Sequence, residues 1–299
     1  MIQADAIDIL VDLAGHTGMN RLMVFAYKPA PIQVSYLGYP NTTGLHTIDY
    51  RLTDILADPP GQEAFHTETL VRLPNTFLCY VGPEDVPSIA PLPTKQTDYI
   101  TFGCFNSLQK ITPEVMSLWG RILKALPEAR LIVKNKSMVD ESTRERFATL
   151  LMEQGVARER IELIGWLPTR HEHMGLYGRI DIALDTFPYN GTTTTCEALW
   201  MGVPVVVLEG NRHAARVGVS LLTHVDLTEM IAGSPEDYVR IAIALAGDPG
   251  KLAALRNGLR EQLARSPLCD GATFTRDLET AYREMWVKWC VTAGRSDTT

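Results

Sequence analysis

Residues 184–210 read LDTFPYNGTTTTCEALWMGVPVVVLEG, and this stretch decides the fold class. An apolar strand ends at Asp185, and a turn of Pro188, Tyr189, Asn190 and Gly191 follows. Four threonines, Thr192 to Thr195, then open a helix from about Thr194 to Met201. Val203 to Leu208 is apolar and β-branched, the composition of a strand buried on both faces. Strand, helix and buried strand in so short a span form the unit of a parallel sheet with right-handed crossovers.

Working outward, the same alternation continues. Strands are predicted at Tyr99–Phe105, Arg130–Lys134, Arg160–Gly165 and Asp181–Thr186. Helices are predicted at Thr112–Leu126, Asp140–Gln154, Ala214–Leu222, Ser234–Ala246, Lys251–Ala264 and Asp277–Trp289. In the first of these helices Thr112 is the N-cap and Pro113 takes the first helical position, with Val115, Leu118, Trp119, Ile122 and Leu126 at helical spacing. Trp119, Trp286 and Trp289 lie among apolar neighbours and read as core. Residues 81–98 hold Pro83, Pro87, Pro91 and Pro93, a density that excludes regular helix or inner strand, and read as an extended linker. The chain therefore divides into a first lobe at 1–80, the linker at 81–98, a second lobe at 99–268, and a C-terminal helix and tail at 269–299. In the first lobe, Ile7–Leu13, Ile32–Leu37 and Tyr50–Thr53 read as strands. Three or four strands in all, against the five or six of a complete doubly wound domain, leave this lobe N-terminally incomplete.

Composition narrows the function. With 28 basic and 35 acidic side chains the formal net charge is −7, and no run of basic residues suits a nucleic-acid backbone. No apolar run approaches the ~20 residues of a membrane span, and the start carries no secretory signal. The five scattered cysteines show no C-x-x-C spacing, which argues against a zinc site or disulfide framework and for a cytoplasmic setting.

Ligands of open parallel sheets bind beyond the carboxyl ends of the strands, so the strand-to-helix loops hold the candidates. The amides and hydroxyls of Thr192 to Thr195 at a helix start suit a phosphate, and Glu197 one turn on suits a ribose diol. The same residues also fit a plain helix cap with a first-turn acid. Lys110, in Phe105-Asn106-Ser107-Leu108-Gln109-Lys110-Ile111, precedes the Thr112 cap, where lysine and helix dipole would act on one anion; a solvated surface lysine fits equally. In Pro168-Thr169-Arg170-His171-Glu172-His173 the two histidines do not share a helix face, so metal ligation is weakly supported, whereas one histidine on a phosphate and a polar cap fit equally. His213, with Arg212 and Arg216, adds cationic groups after Val203–Leu208. No D-x-D occurs to hold a diphosphate through a cation, and no G-x-S-x-G marks a serine nucleophile.

Taken together, AIDILVDLAGHTGMNRL, KPAPIQVSYLGYPNTTGL, DYRLTDILADPP, FNSLQKITP, the 184–210 stretch, RHAARVGVSLL and SPLCDG resemble the catalytic region of the protein O-GlcNAc transferase and SPINDLY family. YPNTTGL, LADPP and the threonine string are closer to the SPINDLY branch. The resemblance implies an inverting, GT-B type α/β fold of two Rossmann-like lobes. It implies transfer of a sugar from UDP-GlcNAc, or from GDP-fucose in a SPINDLY-like enzyme, to Ser or Thr hydroxyls of a protein or peptide acceptor, without metal or other cofactor.

The resemblance also implies roles. Lys110 and His173 would neutralise the leaving diphosphate, with Thr193 and Thr194 binding it beside Thr192, Asn190, Gly191, Asn106 and Ser107. Glu197 would take the ribose, and Leu167, Pro168 and Arg170 the base. Gln109 stands where the animal enzymes often carry an aromatic, and His213 joins the donor-binding set. His16 is the first-lobe histidine left at a strand end, a candidate catalytic group beside Lys110 and His173. Family members carry further first-lobe strands and tetratricopeptide repeats upstream, so the chain is expected to be a piece of a longer enzyme or a truncated relative with impaired activity. In the latter case it would be a nucleotide-sugar-binding module, or an interaction remnant.

Overall fold

The computed structural model describes residues 1–292, which form two compact units. The first unit comprises residues 1–79, 212–214 and the chain from Asp270 on. Its strands β1 (Ile9–Asp12), β2 (Ile32–Ser35), β3 (Tyr50–Asp54) and β4 (Thr69–Leu73) form one parallel sheet in the order β1-β2-β3-β4, with a short helix α1 (Leu22–Ala26) between the first two. β4, TLVRL, is the strand the sequence pattern did not single out. The C-terminal helix Gly271–Thr292 covers one face of this sheet. Phe274, Leu278, Ala281, Tyr282, Met285 and Trp289 recur at helical spacing and pack on Ile32, Val34, Tyr36, Leu52 and Leu73. The helix begins earlier than its apolar periodicity suggests because Asp270 Oδ1 accepts from the Thr273 amide at 3.0 Å, a side-chain cap seven residues before Asp277. The expected tail beyond Thr292 lies outside the described residues.

The second unit spans 80–211 and 215–269. Its elements run α2 (Thr94–Thr97), β5 (Thr101–Cys104), α3 (Pro113–Ala125), β6 (Arg130–Lys134), α4 (Glu141–Glu153), β7 (Ile161–Ile164), α5 (Arg170–Leu176), β8 (Ile182–Leu184), α6 (Thr193–Trp200), β9 (Val205–Leu208), α7 (Val217–His224), β10 (Ile231–Ala232), α8 (Pro235–Ala246) and α9 (Pro249–Arg265). The six strands are parallel and ordered β10-β9-β8-β5-β6-β7, the doubly wound arrangement. β9 is buried along its whole length, as its Val-Val-Val-Leu composition requires. α3 is capped by Thr112 Oγ1, which accepts from the Val115 amide at 3.3 Å, and it buries Val115, Leu118, Trp119 and Ile122.

The proline-rich stretch is not a free linker. It belongs to the second unit, where the Thr94 amide donates to Asp181 Oδ1 at 3.0 Å and Gly82 lies against Trp200. α7 starts at Val217 rather than Ala214, because residues 212–214 leave to join the first unit.

Candidate functional site

In the doubly wound order the strand sequence reverses between β5 and β8, which pair through Phe102–Ile182 and Gly103–Ala183. The crevice beyond their carboxyl ends is where such sheets take ligands. The loops that meet there are Phe105–Thr112 and Asp185–Thr192.

Lys110 Nζ donates to the Asn190 carbonyl at 2.8 Å and lies 3.8 Å from the centroid of the Tyr189 ring. Burial holds its ammonium below the ordinary lysine value, and the charge of Asp185 works against that fall. A half-buried cation held by a single carbonyl and an aromatic face keeps donors for an anion. Beside it α6 begins. Thr192 occupies the N-cap but makes no side-chain capping bond. The threonine string is therefore not explained as a cap. Thr193 is exposed, and Thr194 Oγ1 donates to Asn106 Oδ1 at 2.5 Å. Gly191 is required by crowding: a Cβ there would stand 2.6 Å from Thr194 Oγ1 and 2.8 Å from Asn106 Oδ1.

Two of the expected donor contacts are engaged inside the protein. The Asn106 carboxamide donates to Asp185 Oδ1 at 2.8 Å and to Thr186 Oγ1 at 3.0 Å while accepting from Thr194. Asn190 donates to the Thr186 carbonyl at 2.9 Å and accepts from the Gly218 amide at 3.2 Å, so its own carbonyl is what it offers Lys110. Ser107 and Gln109 are exposed on the β5 loop; Leu167 is half-buried, with Pro168 and Arg170 exposed, between β7 and α5.

On α5, the capping box of Thr169 and Glu172 fixes the first turn and so sets His173. His173 Nε2 is 3.0 Å from Glu197 Oε2, which also accepts from the Tyr177 hydroxyl at 3.2 Å. Burial, reinforced by Glu197, raises Tyr177 well above its ordinary value, so its hydroxyl stays protonated and donates. His173 Nδ1 is buried with no hydrogen-bond partner among the described residues, an orphan that a ligand would satisfy.

Sequence reasoning passed over three groups here. Asp185 was read only as a strand end, Tyr177 not at all, and Lys134 as a strand terminus. Burial lowers the Lys134 ammonium while Glu197 acts to raise it. The available signal for Asp185 and Lys134 was position: each ends or follows a strand of the parallel sheet.

His213 and His16 belong to the first unit. His213 packs in the first unit, buried, with Nδ1 2.7 Å from Asp58 Oδ2. Asp58 also accepts from Thr53 Oγ1 at 2.5 Å, and His66 Nε2 lies 3.6 Å from its other oxygen. Burial lowers the His213 value, so the neutral ring donates from Nδ1. His16, exposed in the turn after β1, donates Nε2–H to the Thr43 carbonyl at 2.8 Å. A cavity of about 550 Å³ lies at the amino ends of β5, β6 and β7, lined by Arg130, Arg158, Arg160 and Arg179. Arg160 there binds the Ala129, Leu123 and Leu126 carbonyls, and Arg179 pairs with Glu162.

A cation, an uncapped helix start and a carboxylate held beside an orphaned imidazole, all at the switch point of a doubly wound sheet, fit the donor side of a GT-B glycosyltransferase. The sequence matches the profile of glycosyl transferase family 41 over residues 1–84 and 84–278, and the chain belongs to that family. It is 51% identical to a tomato (Solanum lycopersicum) protein named probable UDP-N-acetylglucosamine–peptide N-acetylglucosaminyltransferase SPINDLY, over 97% of this chain and 31% of the relative. Identity to the Arabidopsis thaliana protein of the same description named SEC is 35%, over 97% of this chain and 30% of that one. The fold superposes on a mutant of Thermobaculum terrenum O-GlcNAc transferase with TM-score 0.92 and 46% identity, covering 98% of this chain and 55% of that chain. The chain thus spans about a third of the length of the curated relatives it matches. Among the described residues no helix is long and apolar enough to cross a membrane, and no three His, Cys, Asp or Glu side chains are grouped to hold a metal.

Proposed function

We propose that this chain carries the donor-binding and catalytic region of a cytoplasmic protein O-glycosyltransferase, which moves GlcNAc from UDP-GlcNAc to Ser or Thr hydroxyls of protein acceptors with inversion. The observation that carries the reading is Lys110, half-buried at the switch point beside the uncapped start of α6. In the reaction the acceptor oxygen forms a bond to the anomeric carbon as the bond to the diphosphate breaks. The electron pair leaves on a phosphate oxygen and the hydroxyl proton goes to a base. Charge develops on the diphosphate, and preorganised donors aimed there supply the largest catalytic term. In this reading Lys110 and the α6 amides would be those donors, His173 would join them as an imidazolium whose Nε2–H is given to Glu197, and Glu197 would take the ribose. Lysine, amides and imidazole would do this without a metal.

GDP-fucose stays the second donor on the resemblance of YPNTTGL, LADPP and the threonine string to the SPINDLY branch. Repeats upstream in the longer enzyme would present the acceptor. Thermal unfolding with UDP, UDP-GlcNAc, GDP and GDP-fucose tests the reading. A ligand at 100 times its Kd stabilises by about 2.7 kcal/mol. A shift with the uridine pair alone supports GlcNAc transfer, and one with the guanosine pair alone transfers the reading to fucose. No shift with any of them overturns a working donor site.

A further inference from the structure

We propose that Asp185 is a positioning residue of the donor site: its oxygen Oδ1 ties the β5 loop to the β8 loop, and through them sets Lys110 and the start of α6. The inference rests on the donor-site reading above. Three donors converge on Oδ1: Asn106 Nδ2 at 2.8 Å, the Thr186 amide at 2.8 Å and the Gly191 amide at 2.7 Å. Asn106 comes from the β5 loop, and Gly191 immediately precedes the threonine string. The chain of bonds continues from Asn106 Oδ1 to Thr194 Oγ1 on α6. From below, the Tyr238 hydroxyl donates to the Asp185 carbonyl at 2.8 Å and accepts from Trp119 Nε1 at 3.3 Å. The end of β8 is therefore fixed on both sides. Bonds to an ionised acceptor are shorter and stronger than neutral ones, which suits a group that must hold two loops in register.

Geometry alone would be served by asparagine. The charge has a second effect, because the buried Lys110 ammonium tends to lose its proton and Asp185 opposes that loss. A buried carboxylate is costly to keep ionised, and burial pushes Asp185 up to about 6 against its hydrogen bonds. The site retains it nonetheless, and its Oδ2 has no hydrogen-bond partner among the described residues.

The test measures binding of UDP, GDP and inorganic pyrophosphate to the 299-residue chain between pH 6 and 10. Asp185→Asn keeps the Oδ1 acceptor and removes the charge. It is expected to fold, to bind about tenfold more weakly at neutral pH, and to lose binding at a lower alkaline pH than the wild type. Lys110→Arg in that background restores the alkaline side, which a purely structural role would not predict. Asn106→Ala, which breaks the bridge and spares the charge, weakens binding without moving the alkaline limb, and serves if Asp185→Asn does not fold. Wild-type affinity and profile in Asp185→Asn, or wild-type affinity in Asn106→Ala, overturns the inference. Pyrophosphate binding without nucleotide binding would sink the sugar-nucleotide reading while the same comparisons, made with pyrophosphate, still decide Asp185. Binding of none of the three sinks both.

Discussion

His173 Nε2 stands 3.0 Å from Glu197 Oε2, one helix reaching to another across the mouth of the switch point. A carboxylate that orients an imidazole leaves the other ring nitrogen to face its task in a defined tautomer. In the proposed donor site Glu197 would serve both the ribose and His173. Glu197→Gln is expected to raise the KM for the donor by about tenfold or more, with a smaller fall in kcat, since both ground state and transition state lose the ribose contact. Steady-state kinetics at varied donor decide it; an unchanged KM removes Glu197 from the site.

Lys110→Ala should lower turnover about 10²–10³-fold, the scale of losing one donor to a developing oxyanion. Its single hydrogen bond to the Asn190 carbonyl predicts a stability change within about 1.5 kcal/mol. Transfer to a peptide acceptor, measured with radiolabelled donor in the active enzyme, checks the first, and a melting curve the second. Normal turnover would mean the ammonium is a bystander.

Gly191→Ala places a methyl 2.6 Å from Thr194 Oγ1 and 2.8 Å from Asn106 Oδ1. Those atoms tie the β5 loop to α6 beside the proposed anion site, so donor affinity should fall at least tenfold while the fold loses about 1–3 kcal/mol from overpacking. Calorimetric titration of UDP would settle it, wild-type affinity being the contrary result.

The two units are expected to answer acid in opposite senses. Asp185 is raised to about 6 by burial, so the folded chain takes up a proton before the unfolded one does. Stability from this group therefore rises as pH falls from about 6 toward 4, by up to ~3 kcal/mol, and Asp185→Asn abolishes that slope. In the first unit burial acts to raise Asp58, but hydrogen bonds from His213 and Thr53, with His66 close by, outweigh it and hold the carboxyl far below its usual range. Glu68, bonded by Thr43 and Thr42, is lowered in the same way. Their stabilisation is present above the ordinary carboxylate range and is lost as pH falls below about 4. Melting curves from pH 8 to 3 should show a gain followed by a loss; a monotonic decline from pH 7 contradicts the Asp185 part.

Transfer is expected to proceed at full rate in excess EDTA, because lysine, helix amides and imidazole do the work of a divalent cation in this reading. A tenfold or greater drop on chelation, restored by Mg²⁺ or Mn²⁺, would refute it.

Most of the second unit was legible in the sequence because most of its longer strands and helices carry their own signal, whereas the short α2, α5 and β10 do not. Thr112-Pro113 announces α3, and Val205–Leu208 can scarcely be anything but an inner strand. The rim residues followed from the rule that ligands sit at strand ends. The destination of each side chain was less legible. Asn106 and Asn190 look like ligand contacts by position, but hydrogen bonds to residues far along the chain engage them. His213 lies two residues past a segment of the second unit, yet its partner Asp58 is in the first, a pairing no local pattern encodes. β4 was missed because Arg72 interrupts its apolar side chains, and its pairing with β3 supplies what periodicity lacks.

The first unit is assembled from the two ends of the chain, with residues 1–79 roofed by the helix that starts at Gly271. On a ribosome the early strands emerge while their cover is still unmade. At roughly 5–20 residues per second, the intervening stretch takes on the order of 10–40 s to synthesise. During that interval Ile32, Val34, Leu52 and Leu73 lack their native roof, whereas the second unit, apart from the 212–214 excursion, is drawn from one continuous run and can close as it appears. The order of completion therefore reverses the order of synthesis: the unit whose strands are translated first is the one completed last.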